Sequence, residues 1–365
     1  MIRHTDHFHG SDLETIEKVY GIKKEDIVSF SANVNPLGIS PKLKSTLSQR
    51  IDAIMSYPDR EYTSLRRCIA DYVKAEPGDI IVGNGSTELI SLFIQIKRPK
   101  KALIVGPTYS EYEREVALGG GSTLYYRLEE ENNFLLDIPS LEKELSPEVE
   151  LLAICNPNNP TSSAITRSEM RKILDICKKK GIFVMVDETY VEFAEDIQKI
   201  TSVPLTGYYN NLIILRGISK FFAAPGLRLG YAVCGNGDLL KEMNQRKNPW
   251  TINSLAAIAG EIMFTDEAYI RETRSLIARE RSRICALLSA EKNVKCFTPT
   301  ANFVLVKILK EEVVSMDLFE AAIRQGCMIR DCSTFPFLNN KFIRFCFMNP
   351  EMNNKLIDIL LGVLR

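Results

Sequence analysis

The sequence predicts an α/β fold built on a largely parallel sheet, and two observations carry that expectation. Between about Ile80 and Val233, short apolar runs alternate with longer amphipathic stretches, which is how strands joined by helices read. Most of these runs end in a polar cluster, as they do where a ligand sits outside the carboxyl ends of the strands.

The expected strands are Ile80 to Val82, Ala102 to Val105, Leu151 to Cys155, Phe183 to Val186, Leu212 to Leu215 and Tyr231 to Cys234. The clusters after them are Gly83 to Glu88, Gly106 to Tyr112, Asn156 to Thr161, Asp187 to Tyr190 and Gly217 to Lys220. From about Trp250 to Glu291 breakers are few and the period is helical, so long helices are expected to lead away from the sheet. Beyond them Asn302 to Lys307 and Lys341 to Phe347 read as strands, with helices near Ser315 to Gln325 and Glu351 to Leu364. The expected division is a large α/β domain over 45–247 and a small α+β domain, with bridging helices, over 1–44 and 248–365.

Composition excludes several classes. A chain of 365 residues, 45% apolar and 25% charged, can bury a sizeable core. Basic and acidic residues both number 46, which points to neither nucleic acid nor an anionic membrane surface, so any anion site must be local. The nine cysteines form no C-x-x-C pair, and neither a disulfide framework nor a zinc ribbon is indicated. No apolar run approaches the roughly 18 residues of a membrane span. The chain opens with His4, Asp6, His7 and His9 rather than a basic, then apolar leader. A soluble, cytoplasmic protein is expected, and no metal, since a few N-terminal histidines rarely complete a site.

Three groups at the strand ends carry chemistry. The stretch GNGSTE, Gly83 to Glu88, is a glycine-rich turn opening an apolar helix, which suits a phosphate. It lacks the Walker lysine and is not G-x-G-x-x-G, and alone it reads equally as a plain turn. Asp187 ends a buried run, where a carboxylate is costly unless it meets a cation or strong donors; alone it is equally an ordinary helix cap. Lys220 follows another such run. An amine desolvated there loses basicity and can attack an aldehyde. Arg228 and Ser219, with the Gly83 to Thr87 loop, could hold a phosphate on the same molecule. One ligand satisfies all three groups: pyridoxal phosphate has an aldehyde, a phosphate and a basic ring nitrogen.

S-K-x7-R at Ser219, Lys220 and Arg228, D-E-x-Y at Asp187 to Tyr190, and N-P-N-N-P-T at Asn156 to Thr161 resemble the fold-type I pyridoxal-phosphate enzymes of the aminotransferase class I/II superfamily. That resemblance implies a mixed, mostly parallel seven-stranded sheet, a small C-terminal domain and a homodimer with active sites at the subunit interface. Further blocks narrow it: HFHG at His7 to Gly10, FSANVNPLG at Phe30 to Gly38, YPDREYTSLR at Tyr57 to Arg66, NPWTINSLAAIAGE at Asn248 to Glu261 and IRDCSTFPFL at Ile329 to Leu338. These are similar to the L-threonine-O-3-phosphate decarboxylases of cobalamin synthesis, with histidinol-phosphate aminotransferases as near relatives.

The resemblance implies that Lys220 forms the Schiff base with the cofactor and moves protons at Cα, while Asp187 pairs with the ring nitrogen. Asn159 and Tyr190 would bond the ring's phenolic oxygen, and Tyr109 would stack on its face. Ser86, Thr87, Ser219 and Arg228 would hold the phosphate, with Tyr57 reaching it from the partner subunit. Arg344 would bind the substrate carboxylate beside Asn33 and Gly38, and Arg330 and His9 are candidates for the substrate's own phosphate. Ser162 stands where the common motif has glycine, so the turn is expected to need adjusting and the Asn159 contact to be less secure.

Other features read more plainly. Cys327 and Cys332 are expected to be incidental thiols, and Phe221, Phe222 and Trp250 packing residues, Trp250 lying near the cofactor pocket. Arg330 reads equally as a surface ion-pair residue. Decarboxylation and transamination use the same lysine and aspartate, so both stay open, the first being the closer resemblance. A cofactor-binding regulator without catalysis is disfavoured, because no basic DNA-binding segment is present.

Overall fold

The computed structural model describes residues 12–365. Its main sheet has seven strands: β1 (Ile80–Gly83), β2 (Lys101–Gly106), β3 (Ser122–Arg127), β4 (Leu151–Cys155), β5 (Phe183–Asp187), β6 (Leu212–Gly217) and β7 (Gly230–Val233). They lie in the order β1-β7-β6-β5-β4-β2-β3. Only β7 runs antiparallel to its neighbours.

Every residue of β1, β4, β5, β6 and β7 is buried, because helices cover both faces. Successive side chains enter opposite layers: Met185, Ile213 and Leu215 join the cluster under helix Gly85–Lys97, and Val184, Val186, Leu212 and Ile214 join the larger one. In this sheet the strand that sequence reading did not foresee is β3. It is an edge strand of alternating exposure, with polar residues at both ends and only Tyr126 buried.

Helices Ser254–Met263 and Glu267–Ser289 start at side-chain caps on Asn253 and Asp266. They lead to a four-stranded antiparallel sheet of β8 (Val294–Cys296), β9 (Phe303–Ile308), β10 (Arg330–Asp331) and β11 (Phe342–Cys346), ordered β10-β11-β9-β8. Val28–Ser29 pairs in parallel with Cys327–Met328, bringing the N-terminal segment against this part of the chain.

The reversed direction of β7 decides where the site lies. Because β7 is antiparallel, its first residue sits at the carboxyl edge of its neighbours, and both Gly83 and Gly217 pair with Gly230. A Cβ on Gly230 would strike the backbone of Gly85 and Ser86, so only glycine lets the start of helix Gly85–Lys97 settle on that corner. The loops carrying Ser86, Lys220 and Arg228 therefore converge there.

Candidate active site

Asp187 closes β5 inside the protein. Its Oδ1 accepts from the Thr189 backbone N–H at 2.9 Å and the Thr189 hydroxyl at 2.5 Å, and its Oδ2 accepts from the Tyr112 hydroxyl at 2.7 Å. Burial still raises its carboxyl above the ordinary range, the three donors offsetting only part of the cost. Among the described residues none forms an ion pair with it.

Lys220 lies three residues beyond β6, and its ammonium donates to the Ala32 carbonyl at 2.7 Å. Its own carbonyl accepts from Asn35 N at 3.0 Å, so the N-terminal segment lies over it. Burial, then the positive charge of Arg344, with Arg228 adding, lowers its pKa to about 8. An amine partly neutral near physiological pH is a usable nucleophile and proton carrier.

The corner at Gly230 gathers the phosphate candidates. Arg228 has left-handed backbone (φ 58°) and reaches the Asn84 and Pro225 carbonyls at 3.4 Å each. Gly85, at φ +79°, has no space for a Cβ because the Arg228 guanidinium occupies it. Ser86 Oγ would lie 3.8 Å from a Cβ on Gly217, and Ser219 is half-buried two residues further on. Thr87 bonds the hydroxyl of Tyr109, whose phenol burial pushes up to about 12. Backbone N–H groups at this helix start, a guanidinium and hydroxyls make an anion site.

A second set descends from the small sheet. Arg344, buried on β11, donates to the Ser31 carbonyl at 2.6 Å and to Asn159 Oδ1, and lies 5.3 Å over the Phe303 ring. Tyr190 stands edge-on to the same ring at 4.9 Å, and its hydroxyl accepts from Asn33 Nδ2 at 3.4 Å. Asn33 Oδ1 and Arg344 Nε are buried without a protein partner, two polar atoms left for a ligand. Arg330 pairs with Arg344 in register across β10 and β11, donates to Thr334 Oγ1 at 2.8 Å and covers Phe335. Residues directly opposite on neighbouring strands share a face, so two guanidinium groups are presented together.

Other expected residues fall differently. Gly38, at φ +67°, is tied through its carbonyl to the Tyr269 hydroxyl at 2.6 Å on the long bridging helix. Tyr57 is 79% exposed and stacks on Trp250 with ring centroids 4.9 Å apart. Phe221 and Phe222 are buried packing residues, whereas Trp250 is partly exposed, next to Thr251, whose carbonyl accepts from Asn84 in the Gly83 to Glu88 turn. His9 and the block His7 to Gly10 lie outside the described residues.

At Ser162 the turn keeps the backbone of the glycine it replaces. Ser162 takes the left-handed backbone a glycine would take (φ 59°), and its hydroxyl accepts from Ala301 N at 2.9 Å. That bond offsets the strain, and in the same turn Asn159 Oδ1 accepts from Arg344.

Sequence reading missed the supports of Asp187. Tyr112 lies three residues after Tyr109, visible in the chain but with no signal of its partner. Glu188, next to Asp187, is a buried carboxylate that takes Arg216 Nε at 3.0 Å and Nη2 at 2.7 Å. That pair ties the end of β5 to the end of β6 and so fixes Asp187 relative to Lys220.

The model of the family "Aminotransferase class I and II" matches residues 25–360. The chain belongs to this family. It is a pyridoxal-phosphate-dependent enzyme with the fold-type I architecture. Among the relatives of this class I and II chain is a protein of Caldanaerobacter subterraneus subsp. tengcongensis, provisionally named threonine-phosphate decarboxylase. It is 36% identical, with 91% of this chain and 89% of the relative covered. The threonine-phosphate decarboxylase of Salmonella typhimurium is 31% identical over 98% of this chain and 96% of its own length. The crystal structure of the histidinol-phosphate aminotransferase from Clostridium acetobutylicum superposes with a TM-score of 0.85 at 32% identity, covering 92% of this chain and 98% of that one.

The residues present fit the cofactor. A desolvated amine, a carboxylate that lacks a cation among the described residues, and a glycine-rich corner with Arg228 match an aldehyde, a basic ring nitrogen and a phosphate respectively.

Proposed function

We propose that the chain removes the carboxylate of an O-phospho amino acid as CO2, the substrate being L-threonine-O-3-phosphate and the product (R)-1-aminopropan-2-yl phosphate. The carrying observation is the placement of two guanidinium groups: Arg344 and Arg330 stand opposite each other on β11 and β10, apart from Arg228 at the cofactor phosphate, and so face one substrate with two charges. Threonine phosphate carries a carboxylate and a phosphate, whereas histidinol phosphate carries only the phosphate. The two decarboxylase-named relatives cover the chain almost end to end and support the same reading.

Pyridoxal phosphate, when bound, supplies the aldehyde that condenses with amines and the ring that accepts the electron pair of the broken bond. The roles proposed for the protein are these. Lys220 holds the cofactor and returns a proton to Cα after CO2 departs. Asp187 keeps the ring nitrogen protonated, and Asn159 and Tyr190 bond the phenolic oxygen. Tyr109 covers the ring, while Ser86, Thr87 and Ser219 share the phosphate with Arg228. Arg344, beside Asn33 and Gly38, takes the carboxylate, and Arg330 and His9 take the substrate phosphate. Orientation by these anchors selects the bond that breaks. The cofactor is assigned to a large domain over 45–247, and the substrate arginines to a small one over 1–44 and 248–365.

Incubating holoenzyme with L-threonine-O-3-phosphate and no keto acid should release CO2 through many turnovers with the visible absorbance band retained. Transamination of histidinol phosphate is the second reading, favoured by the Clostridium acetobutylicum neighbour. It predicts no CO2 and a single-turnover loss of the band.

The reading includes a cytoplasmic homodimer. Ile54, Met55 and Tyr57 are exposed together, an apolar patch that a second copy would cover and from which Tyr57 would reach the partner's cofactor phosphate. Sedimentation should give twice the mass of one chain, and Tyr57→Phe should weaken cofactor binding several-fold; a monomer at active concentrations contradicts this. Among the described residues no helix is long and apolar enough to cross a membrane.

A further inference from the structure

We infer that Tyr112 is a positioning residue for the cofactor: through its hydrogen bond to Asp187 Oδ2 it holds that carboxylate ionised and aimed at the ring nitrogen. The inference rests on the functional reading above and concerns a residue to which that reading gives no task.

The geometry sets Tyr112 against Asp187. It is fully buried on helix Glu111–Leu118, one turn from Tyr109, with its hydroxyl 2.7 Å from Asp187 Oδ2. Burial, with the negative charge of Asp187, raises its phenol far above the usual range, so it stays protonated and donates. A donor bonded to a carboxylate favours the ionised form and opposes the burial that favours the neutral one. Thr189 occupies Oδ1 with two donors, whereas Oδ2 has Tyr112, leaving that oxygen capacity for the ring N–H. Without Tyr112 the carboxyl would more readily keep its own proton, and a neutral acid cannot form the ion pair that keeps the ring nitrogen charged.

The same residue steadies the ring that covers the cofactor. Tyr109 and Tyr112 meet edge to face, centroids 5.7 Å apart and planes at 84°. The helix Glu111–Leu118 carries the donor to Asp187, and the loop that leads into it carries the covering ring of Tyr109. A merely structural Tyr112 would affect folding and leave the protonation of the cofactor unchanged.

The test is Tyr112→Phe, which keeps the ring and removes the hydroxyl. Apoprotein titrated with pyridoxal phosphate should bind roughly 10- to 100-fold more weakly than wild type, the range for one charge-assisted hydrogen bond. Magnetic resonance of holoprotein loaded with ring-15N cofactor should show a protonated nitrogen in wild type and a shift toward the neutral pyridine in the variant. Replacing Tyr112 with 4-aminophenylalanine, a weaker donor of the same shape, should shift both readouts the same way by less, and it serves if the phenylalanine variant does not fold. Unchanged affinity and an unchanged nitrogen signal in the variants overturn the inference alone. Wild-type apoprotein that takes up no pyridoxal phosphate overturns the functional reading and this inference with it.

Discussion

Lys220→Ala should abolish the visible absorbance band of the holoprotein and lower turnover by about 10⁴-fold or more, the scale of losing a group that acts as both nucleophile and proton carrier. With a pKa of about 8, roughly one Lys220 amine in ten is neutral at pH 7, against about one in 2,500 for a free lysine. Burial and the nearby Arg344 and Arg228 make that difference. The rate at which wild-type apoprotein takes up pyridoxal phosphate should therefore rise with pH up to about 8 and then level. A rate still climbing toward pH 10 would mean an ordinary, solvated lysine. The stability of the apoprotein moves the same way. The folded state holds this proton less tightly than the unfolded state, so the cost of the buried ammonium is fully present below the folded pKa. It is relieved as pH rises toward the unfolded value.

Asp187→Asn should separate apoprotein from holoprotein by sign. In the holoprotein it removes the anion proposed to face the ring nitrogen. Leaving a buried charge unpaired costs about 3–5 kcal/mol, so cofactor affinity should fall by roughly 10²- to 10⁴-fold, and turnover should fall with it. In the apoprotein the carboxylate has only neutral donors, and burial raises its pKa. A raised carboxyl pKa destabilises the folded state once pH exceeds the unfolded value, and the cost stays constant above the folded one. The neutral amide escapes it. Apo Asp187→Asn should therefore melt no lower than wild type near pH 7 and lose that advantage as pH falls through the raised folded pKa toward about 4. A variant that destabilises apoprotein and holoprotein alike would show that Asp187 is an ordinary structural carboxylate.

What could be seen in the sequence depended on the range of the interaction. β5 is apolar up to Asp187 and β6 up to Arg216, with Lys220 a few residues on, so strand and functional residue were visible in one window. β3 was hidden because an edge strand needs only half its side chains buried. The bond from Tyr112 to Asp187 spans 75 residues, and nothing local announces it. Arg330 and Arg344 were each picked out as single residues, but that they stand directly opposite each other follows from strand register, which composition does not encode.

Ser162 has a consequence that concerns the width of the cleft. Its hydroxyl and carbonyl both bind the backbone at Thr300 and Ala301, just before β9. Three residues earlier in the same turn, Asn159 holds Arg344 on β11, the strand beside β9. The turn is therefore stitched to two adjacent strands of the small sheet, where a glycine would leave out the hydroxyl stitch. A substrate with a short backbone and two fixed charges gains from arginines whose distance from the lysine hardly varies. A chain that had to admit several amino donors in turn would gain from slack at that same seam.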